Sequence, residues 1–310
     1  MKKNLSKRIV IATILGLTIF GGICTENPAH AEATQNTTVA VNVQVQQEAK
    51  GNIDWTKGAE SEVIATGIGL PPENMGSRVT PLARRAAIVD AYRNLAETIQ
   101  GVQVDSDTVM QDLVIQSDTV RAQVSALIKG AKIIEEGQNA DGSYFVRMSV
   151  PLYGAGNSVA AIAIPGIVAS NILEPLPAVE KTSLPERQVE EIRSSAYTGV
   201  IVNASGLGLE STFSPVIYDE NGRGIYGIKN INPDFAISQG MVSYARNMNQ
   251  AMADSRIGSN PLVVNALAVR GGRNSANKVN VVITINDGDR ILLANEKSGM
   301  LQNCAVVFVK

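Results

Sequence analysis

Histidine is almost missing from this 310-residue sequence, where His30 is the only one, and cysteine is nearly as scarce, with Cys24 and Cys304 alone. Imidazole is the usual general base near neutral pH and the commonest metal ligand. A chain that loses His30 therefore loses most catalytic triads and most zinc or copper sites with it. Cys304 stands directly before the apolar run Ala305–Val309, a setting for a small buried hydrophobe rather than a nucleophile. Aromatic residues are also few: 45% of the chain is hydrophobic but only 4% is Phe, Trp or Tyr. Valine, isoleucine and alanine fill sheet and helix cores, yet they supply few stacking platforms.

His30 and Cys24 both lie in a stretch that reads as removable. Lys2, Lys3, Lys7 and Arg8 precede an apolar run from Ile9 to Ile23, and Ala29-His30-Ala31 follows. Positive region, hydrophobic region and small-x-small site make a secretory signal with cleavage expected after Ala31. The apolar run is short for a spanning helix. Cys24 follows that run directly, as an acylated cysteine does, but bulky Ile23 fills the preceding position where a small residue belongs, so a lipid anchor is not expected. Lys2, Lys3, Lys7, Arg8 and Glu26 leave with the signal. The 27 basic and 29 acidic residues then become 23 and 28, a net charge of about -5 that disfavours nucleic acid.

Residues 32–52 are polar and read as a leader, with Val39, Val41, Val43 and Val45 alternating as one face of a strand does. An α+β domain is expected over 53–153. Val63–Gly69 is its first strand. Thr80 and Pro81 then open a helix whose apolar stripe is Ile88, Tyr92, Leu95 and Ile99, closed by Gly101. Val102 and Val104 begin a further strand. Ser117 or Asp118 caps a second helix with the stripe Val120, Val124 and Leu127, ended by Gly130. The runs 131–136 and 144–151 flank Asn139-Ala140-Asp141-Gly142, a hairpin turn. Strand, helix, strand, helix and hairpin make a sheet with both helices on one face.

Residues 154–195 are expected to connect the domains. Gly154–Leu173 is apolar, but its Pro165 and Asn157 argue for a buried segment over a membrane span, and Pro175, Pro177 and Pro185 mark a linker. A second, α/β domain follows over 196–310. It is read as a strand at 197–204, a hairpin across Asp219-Glu220-Asn221-Gly222, a helix capped by Asp234 that runs through 238–253, strands at 262–269, 279–285 and 305–309, and a helix capped by Asp287.

Candidate sites are sparse. Gly67-Ile68-Gly69 and Gly206-Leu207-Gly208 resemble fragments of phosphate loops, but neither completes a fingerprint, and loop geometry is the better account. Asp287 with Asp289, and Asp219 with Glu220, are the paired carboxylates that a hard cation or acid–base chemistry would use; capping explains them as well. Arg84 and Arg85 start the first helix with a sign that opposes its dipole, which hints at a compensating neighbour; they could contact a partner's carboxylates or cell-wall anions, but solvated surface is the better account. Trp55, the sole tryptophan, is a candidate interface anchor or a cover for a sheet edge.

The segments Val63–Gly69, Ala83–Leu95, Ile133–Glu136 and Tyr144–Val150, and above all the helix pattern Ala-x-x-x-Ala-x-x-Asp-Ala-x-x-Asn-Leu, resemble the Lpp-twenty lipoprotein family and the N-terminal domain of flagellar assembly protein T. The resemblance implies an exported envelope protein of the kind that is often lipid-anchored and sometimes tied to flagella, with no catalytic residues to carry over. Together these readings describe a non-enzymatic envelope protein that docks onto envelope or flagellar proteins, without a cofactor or metal. The alternative is a small-molecule or cation-binding protein, or a hydrolase working through Asp287 and Asp289.

Overall fold

The computed structural model describes residues 50–71, 79–169, 174–179, 184–272 and 275–310. The signal region, Cys24 and the alternating valines 39–45 lie outside the described residues.

The first sheet is antiparallel throughout. Its strands β1 (Gly51–Ile53), β2 (Glu62–Gly69), β3 (Lys132–Gln138) and β4 (Tyr144–Pro151) lie in the order β1-β2-β4-β3. Val63, Ala65, Gly67 and Gly69 of β2 and Val146, Met148 and Val150 of β4 are buried on one face by the two-residue period of a strand. Helix α1 (Val79–Gln100) covers that face over β2 and β4. The helix already includes Val79, so Thr80 lies inside its first turn rather than at the cap. Its buried stripe also differs from the expected one. Leu95 and Ile99 are buried, but Ile88 and Tyr92 are half-exposed, and Ala83, Ala87 and Ala91 continue the contact instead. Helix and strand come too close there for any larger side chain.

Val102 and Val104 are buried but do not form a strand; a single bridge joins Gln103 to Val109. Helix α2 (Met110–Gln116) follows, then α3 (Asp118–Lys129), whose N-cap is Ser117 accepting from the Val120 N–H and whose C-cap is Gly130. Val124 and Leu127 of α3 are buried, and the helix packs on α1, on α2 and on the next helix, α4 (Val159–Ala169). The turn between β3 and β4 places Gly142 at φ 83°, with Asp141 accepting from the Ser143 N–H and hydroxyl. The apolar connecting segment is thus a helix, α4, whose Val159, Ala160, Ile162, Ala163, Ile164 and Ile167 are buried despite Pro165 within it. No described helix is long and apolar enough to cross a membrane. Helix α5 (Glu186–Ser194) stands where the proline-rich linker was expected. Pro185 marks its start rather than a break, and Glu186 in the first turn and Arg193 in the last complement its dipole.

Two further sheets follow. In the first, β5 (Gly199–Asn203), β8 (Ser243–Ala245), β9 (Pro261–Asn265) and β12 (Val306–Val309) run parallel in the order β8-β12-β5-β9. Its inner strands are unbroken apolar runs because a parallel sheet is covered on both faces. In the second, β6 (Ile217–Asp219), β7 (Gly224–Tyr226), β10 (Ala268–Arg270) and β11 (Asn280–Ile283) lie in the order β10-β11-β6-β7. The strand expected at 262–269 is split between the sheets: the Ala266 N–H donates to Asn203 and the very next N–H, of Leu267, to Val282. The long helix expected to Ala253 is also broken. Asn232, not Asp234, caps α6 (Pro233–Gln239), which stops at Gly240 with φ 83°; β8 and the short α7 (Met248–Met252) come next. The last helix, α8 (Ile285–Ser298), is capped by Thr284 rather than Asp287.

One cluster of buried side chains runs from Leu95 and Ile99 through Tyr153 and Phe213 to Phe308. The first sheet and the later two therefore share a core, and the described residues fall in one compact unit.

Candidate functional site

Gly67 and Gly69 form a seam against α1. A Cβ on Gly67 would lie 2.1 Å from the Ala91 nitrogen and 2.2 Å from the Ala87 oxygen, and one on Gly69 would lie 1.9 Å from the Ala83 oxygen. Their lack of side chains serves close packing, not a phosphate. Alongside the seam, the described pairing of β1 with β2 is followed by the Thr66 N–H, which donates to Lys50. Side chains of α1 take over. Asp90 accepts from the Ile68 N–H at 3.0 Å, and Asn94 donates to the Thr66 carbonyl at 2.8 Å and to Asp90 at 3.2 Å. Arg93 holds the other Asp90 oxygen at 2.7 Å. The alanines, aspartate and asparagine of the helix pattern that carried the family resemblance are thus structural: small residues for the seam, and two polar ones that hydrogen-bond the β2 backbone at Thr66 and Ile68.

Arg84 has the compensating neighbour its position called for. Its Nε and Nη2 donate to the two oxygens of Glu136 at 2.8 and 3.2 Å, tying α1 to the edge strand β3. Arg85 is exposed beside a shallow hollow floored by Ala86 and Val89. Trp55 sits in a 3-10 turn at Trp55–Glu60 and meets Phe213, Tyr244 and Tyr153 edge-on, with ring centroids 5.3, 6.0 and 6.4 Å away. It is neither an outward anchor nor an edge cover, but half-buried where the first sheet meets the parallel one. Edge-to-face contacts of this kind add about 0.5–1.5 kcal/mol each beyond burial. The Tyr244 hydroxyl accepts from the Thr212 N–H and donates to its carbonyl, and burial pushes it well above the usual phenol range.

The acidic candidates come apart. The Asp287 N–H donates to the Thr284 hydroxyl at 3.0 Å, that hydroxyl donates to the Asp287 carboxylate at 2.9 Å, and Asp287 pairs with Arg290 at 2.6 Å. Asp289 points the other way and is fully buried, with Arg223 Nη2 2.8 Å from its carboxylate. The same guanidinium binds the equally buried Asp219 through Nε at 2.8 Å and the Ala178 carbonyl through Nη1 at 2.9 Å. One arginine thus ties the β6–β7 hairpin, α8 and the 174–179 segment together. Sequence spacing gave no hint of this, because Asp219 and Asp289 are 70 positions apart. Glu220 accepts from the Ile285 N–H at the start of α8. Gly206 and Gly208 adopt φ of 77° and 73° in a loop that leads into extended chain, not into a helix N-terminus. Cys304 is buried, as expected, and burial raises its thiol above the ordinary range.

Two hollows remain. One, of about 710 Å³, lies between the 105–108 loop, the 174–177 segment and the β6–β7 hairpin, with Lys229 and Glu174 paired at 2.9 Å on its rim. The other, of about 650 Å³, opens between the Trp55–Glu60 turn and β8.

Residues 21–150 match the family described as LPP20 lipoprotein. The LPP20 match spans Cys24 and ends within β4, so it takes in the whole glycine–alanine seam and the Asp90–Asn94 edge closure. Residues 199–310 match the family described as the second domain of Treponema pallidum Tp0624, beginning at the first residue of β5 and running through β12. No curated protein matches the chain. Through its LPP20 segment the chain is an envelope-associated protein.

Proposed function

We propose that the chain is exported, loses its signal after Ala31 and works in the cell envelope as a non-enzymatic docking protein. Its partners are other envelope proteins, flagellar components among them. The observation that carries this reading is the distribution of exposed apolar side chains. Ile68, Leu70, Leu82, Val89, Ile133 and Ile134 are all exposed, and all lie on the first sheet, on α1 or just beside them, within the LPP20 segment. Ile115 of α2 is exposed too, and Met252, Val263 and Leu267 are exposed outside that segment. Exposed apolar groups of this kind are what a partner covers. The carboxylates that a hydrolase or a cation site would need are meanwhile held in capping and in arginine pairs.

The test is a pair of substitutions in cells, Val89→Asp and Ile134→Asp. Both are expected to shift the protein from a large envelope complex to its monomer mass on a sizing column, with the thermal midpoint unchanged. A wild-type chain that already runs as a monomer after mild crosslinking in intact cells defeats the proposal. Intact mass reports export: a product starting at Glu32 is expected, and a product acylated at Cys24 replaces the cleavage site with a lipid anchor.

A further inference from the structure

The parallel sheet ends in β9, and no strand among the described residues pairs with its outer edge. The alternation of the ladder shows which groups lie there. The N–H groups of Val200 and, just past the strand, Ala204 donate to Ala305 and Val309 on the β12 side, so the odd residues of β5 turn to β9, where Asn203 accepts from the Ala266 N–H. Leu262, Val264 and Ala266 therefore point their backbone groups inward. The N–H and C=O of Val263 and Asn265, with the C=O of Pro261, point away from β5, and no partner meets them among the described residues.

An open strand edge is a template for another strand, and folds guard against it with charge, bulges, short strands or cover. The β3 edge carries Lys132, Glu135 and Glu136 and a bulge between Ile133 and Glu135. Strand β8 packs on the Trp55–Glu60 turn, and β1, β7 and β10 have three residues each. Beyond Pro261 at its first position, β9 has none of these defences: no charged residue stands between Arg256 and Arg270, and its register with β5 runs without a shift. Val263 lies on the same face as Ile201, which packs with Ala251 of α7, yet Val263 itself is 39% exposed.

We propose that this edge pairs antiparallel with the β9 of a second copy of this chain, about a two-fold axis at Val263. The pairing uses the open groups as they stand. Each Val263 N–H donates to the Val263 carbonyl of the other copy, and each Asn265 N–H to the Pro261 carbonyl of the other copy. Pro261 has no N–H to leave unmet. Charge favours a second copy on β9 alone: β3, doubled about its middle residue Glu135, would set glutamate against glutamate, whereas β9 meets itself without charge. Five residues a side bury little area, so the contact is weak and dilution on a sizing column returns the monomer. Val263→Pro leaves the first-sheet surface untouched and Val89→Asp leaves β9 untouched, so either reading can fail alone.

The experiment follows the mass of the mature chain by sedimentation equilibrium as its concentration is raised. The parent is expected to pass from monomer to dimer. Val263→Pro removes an N–H that the fold does not use, and is expected to weaken dimerisation at least about tenfold while the thermal midpoint of the dilute protein stays unchanged. Val263→Thr keeps that N–H and is expected to dimerise like the parent. Val263→Lys sets like charges across the axis, so its dimer is expected to be weaker at low salt than at high salt; it decides the matter if the proline variant fails to fold. Val263→Cys is expected to form a disulfide-linked dimer under mild oxidation, because the Cα atoms of such a pair stand about 5.5 Å apart, within disulfide reach, while Cys304 is buried. A parent of monomer mass up to its solubility limit, a dimer that Val263→Pro and Val263→Lys leave as tight as the parent's, or Val263→Cys oxidising no faster than Ile134→Cys overturns the proposal. So does a Val263→Cys chain that crosslinks in cells only to another protein, which gives the edge to a foreign strand.

Discussion

Asn94 and Thr66 meet on the edge of β2 beyond its described ladder with β1: the Asn94 amide donates to the Thr66 carbonyl at 2.8 Å. Asn94 is 2% exposed, so replacing it by leucine leaves a buried carbonyl without a donor. Asn94→Leu is expected to lower unfolding free energy by about 2 kcal/mol in urea titrations. Asp90→Asn, whose amide oxygen can still accept from Ile68, is expected to cost less. Equal losses for the two would mean that edge closure is not what Asn94 supplies.

Gly67→Ala is the sharper change. The added methyl would meet the α1 backbone itself, which no side-chain movement relieves. A loss of about 3 kcal/mol or more, read from the denaturation midpoint, is expected. Gly156→Ala, with nothing within 4 Å of the new methyl, is the control and should be neutral.

Removing Arg223 takes one guanidinium away from two fully buried carboxylates at once. Arg223→Met is expected to destabilise by about 3–5 kcal/mol, the cost of breaking a buried ion pair from one side. Asp219→Asn and Asp289→Asn combined with it should recover part of that loss. If the triple variant is no more stable than Arg223→Met, buried charge is not the cause.

Asp54 gives a dependence on pH. The Thr56 hydroxyl, against some opposition from burial, holds its carboxyl below the ordinary range, with the Thr56 N–H and Arg246 adding to the effect. A depressed carboxyl contributes stability that is present above its unfolded pKa and lost as pH falls through the folded one. The Asp54→Asn variant is therefore expected to be less stable than the parent near neutrality, and the difference should shrink as a series of thermal melts is taken to pH 3. A gap that stays constant down the series would rule this out.

Much of the first sheet could be read from the sequence because local rules fix it. The Asn139–Gly142 turn, the Ser117 and Gly130 caps of α3 and the alternation along β2 each follow from a few neighbouring residues. The α1 stripe could not be read as fully. Alanines give almost no periodic signal, and only the glycines on β2 reveal why small residues were required. Beyond residue 196 the misread elements depend on distant pairing. Nothing near Ala266 and Leu267 announces that consecutive residues join different sheets, and Ser243–Ala245 becomes a strand only because β12 lies beside it. The paired groups of the site regions are of this kind too: Arg84 was flagged without Glu136, and Asp289 without Asp219 or Arg223.

The position of β12 has a bearing on how the chain is delivered. This strand is made after β5, β8 and β9, yet it lies between β8 and β5 and, among the described residues, is what joins β8 to the rest of the parallel sheet. Until residues 306–309 emerge from the ribosome, that sheet has a gap at its centre and the polypeptide lacks the means to lock. A secretory channel that accepts only unfolded chains would thereby be offered a substrate whose own topology delays its closure.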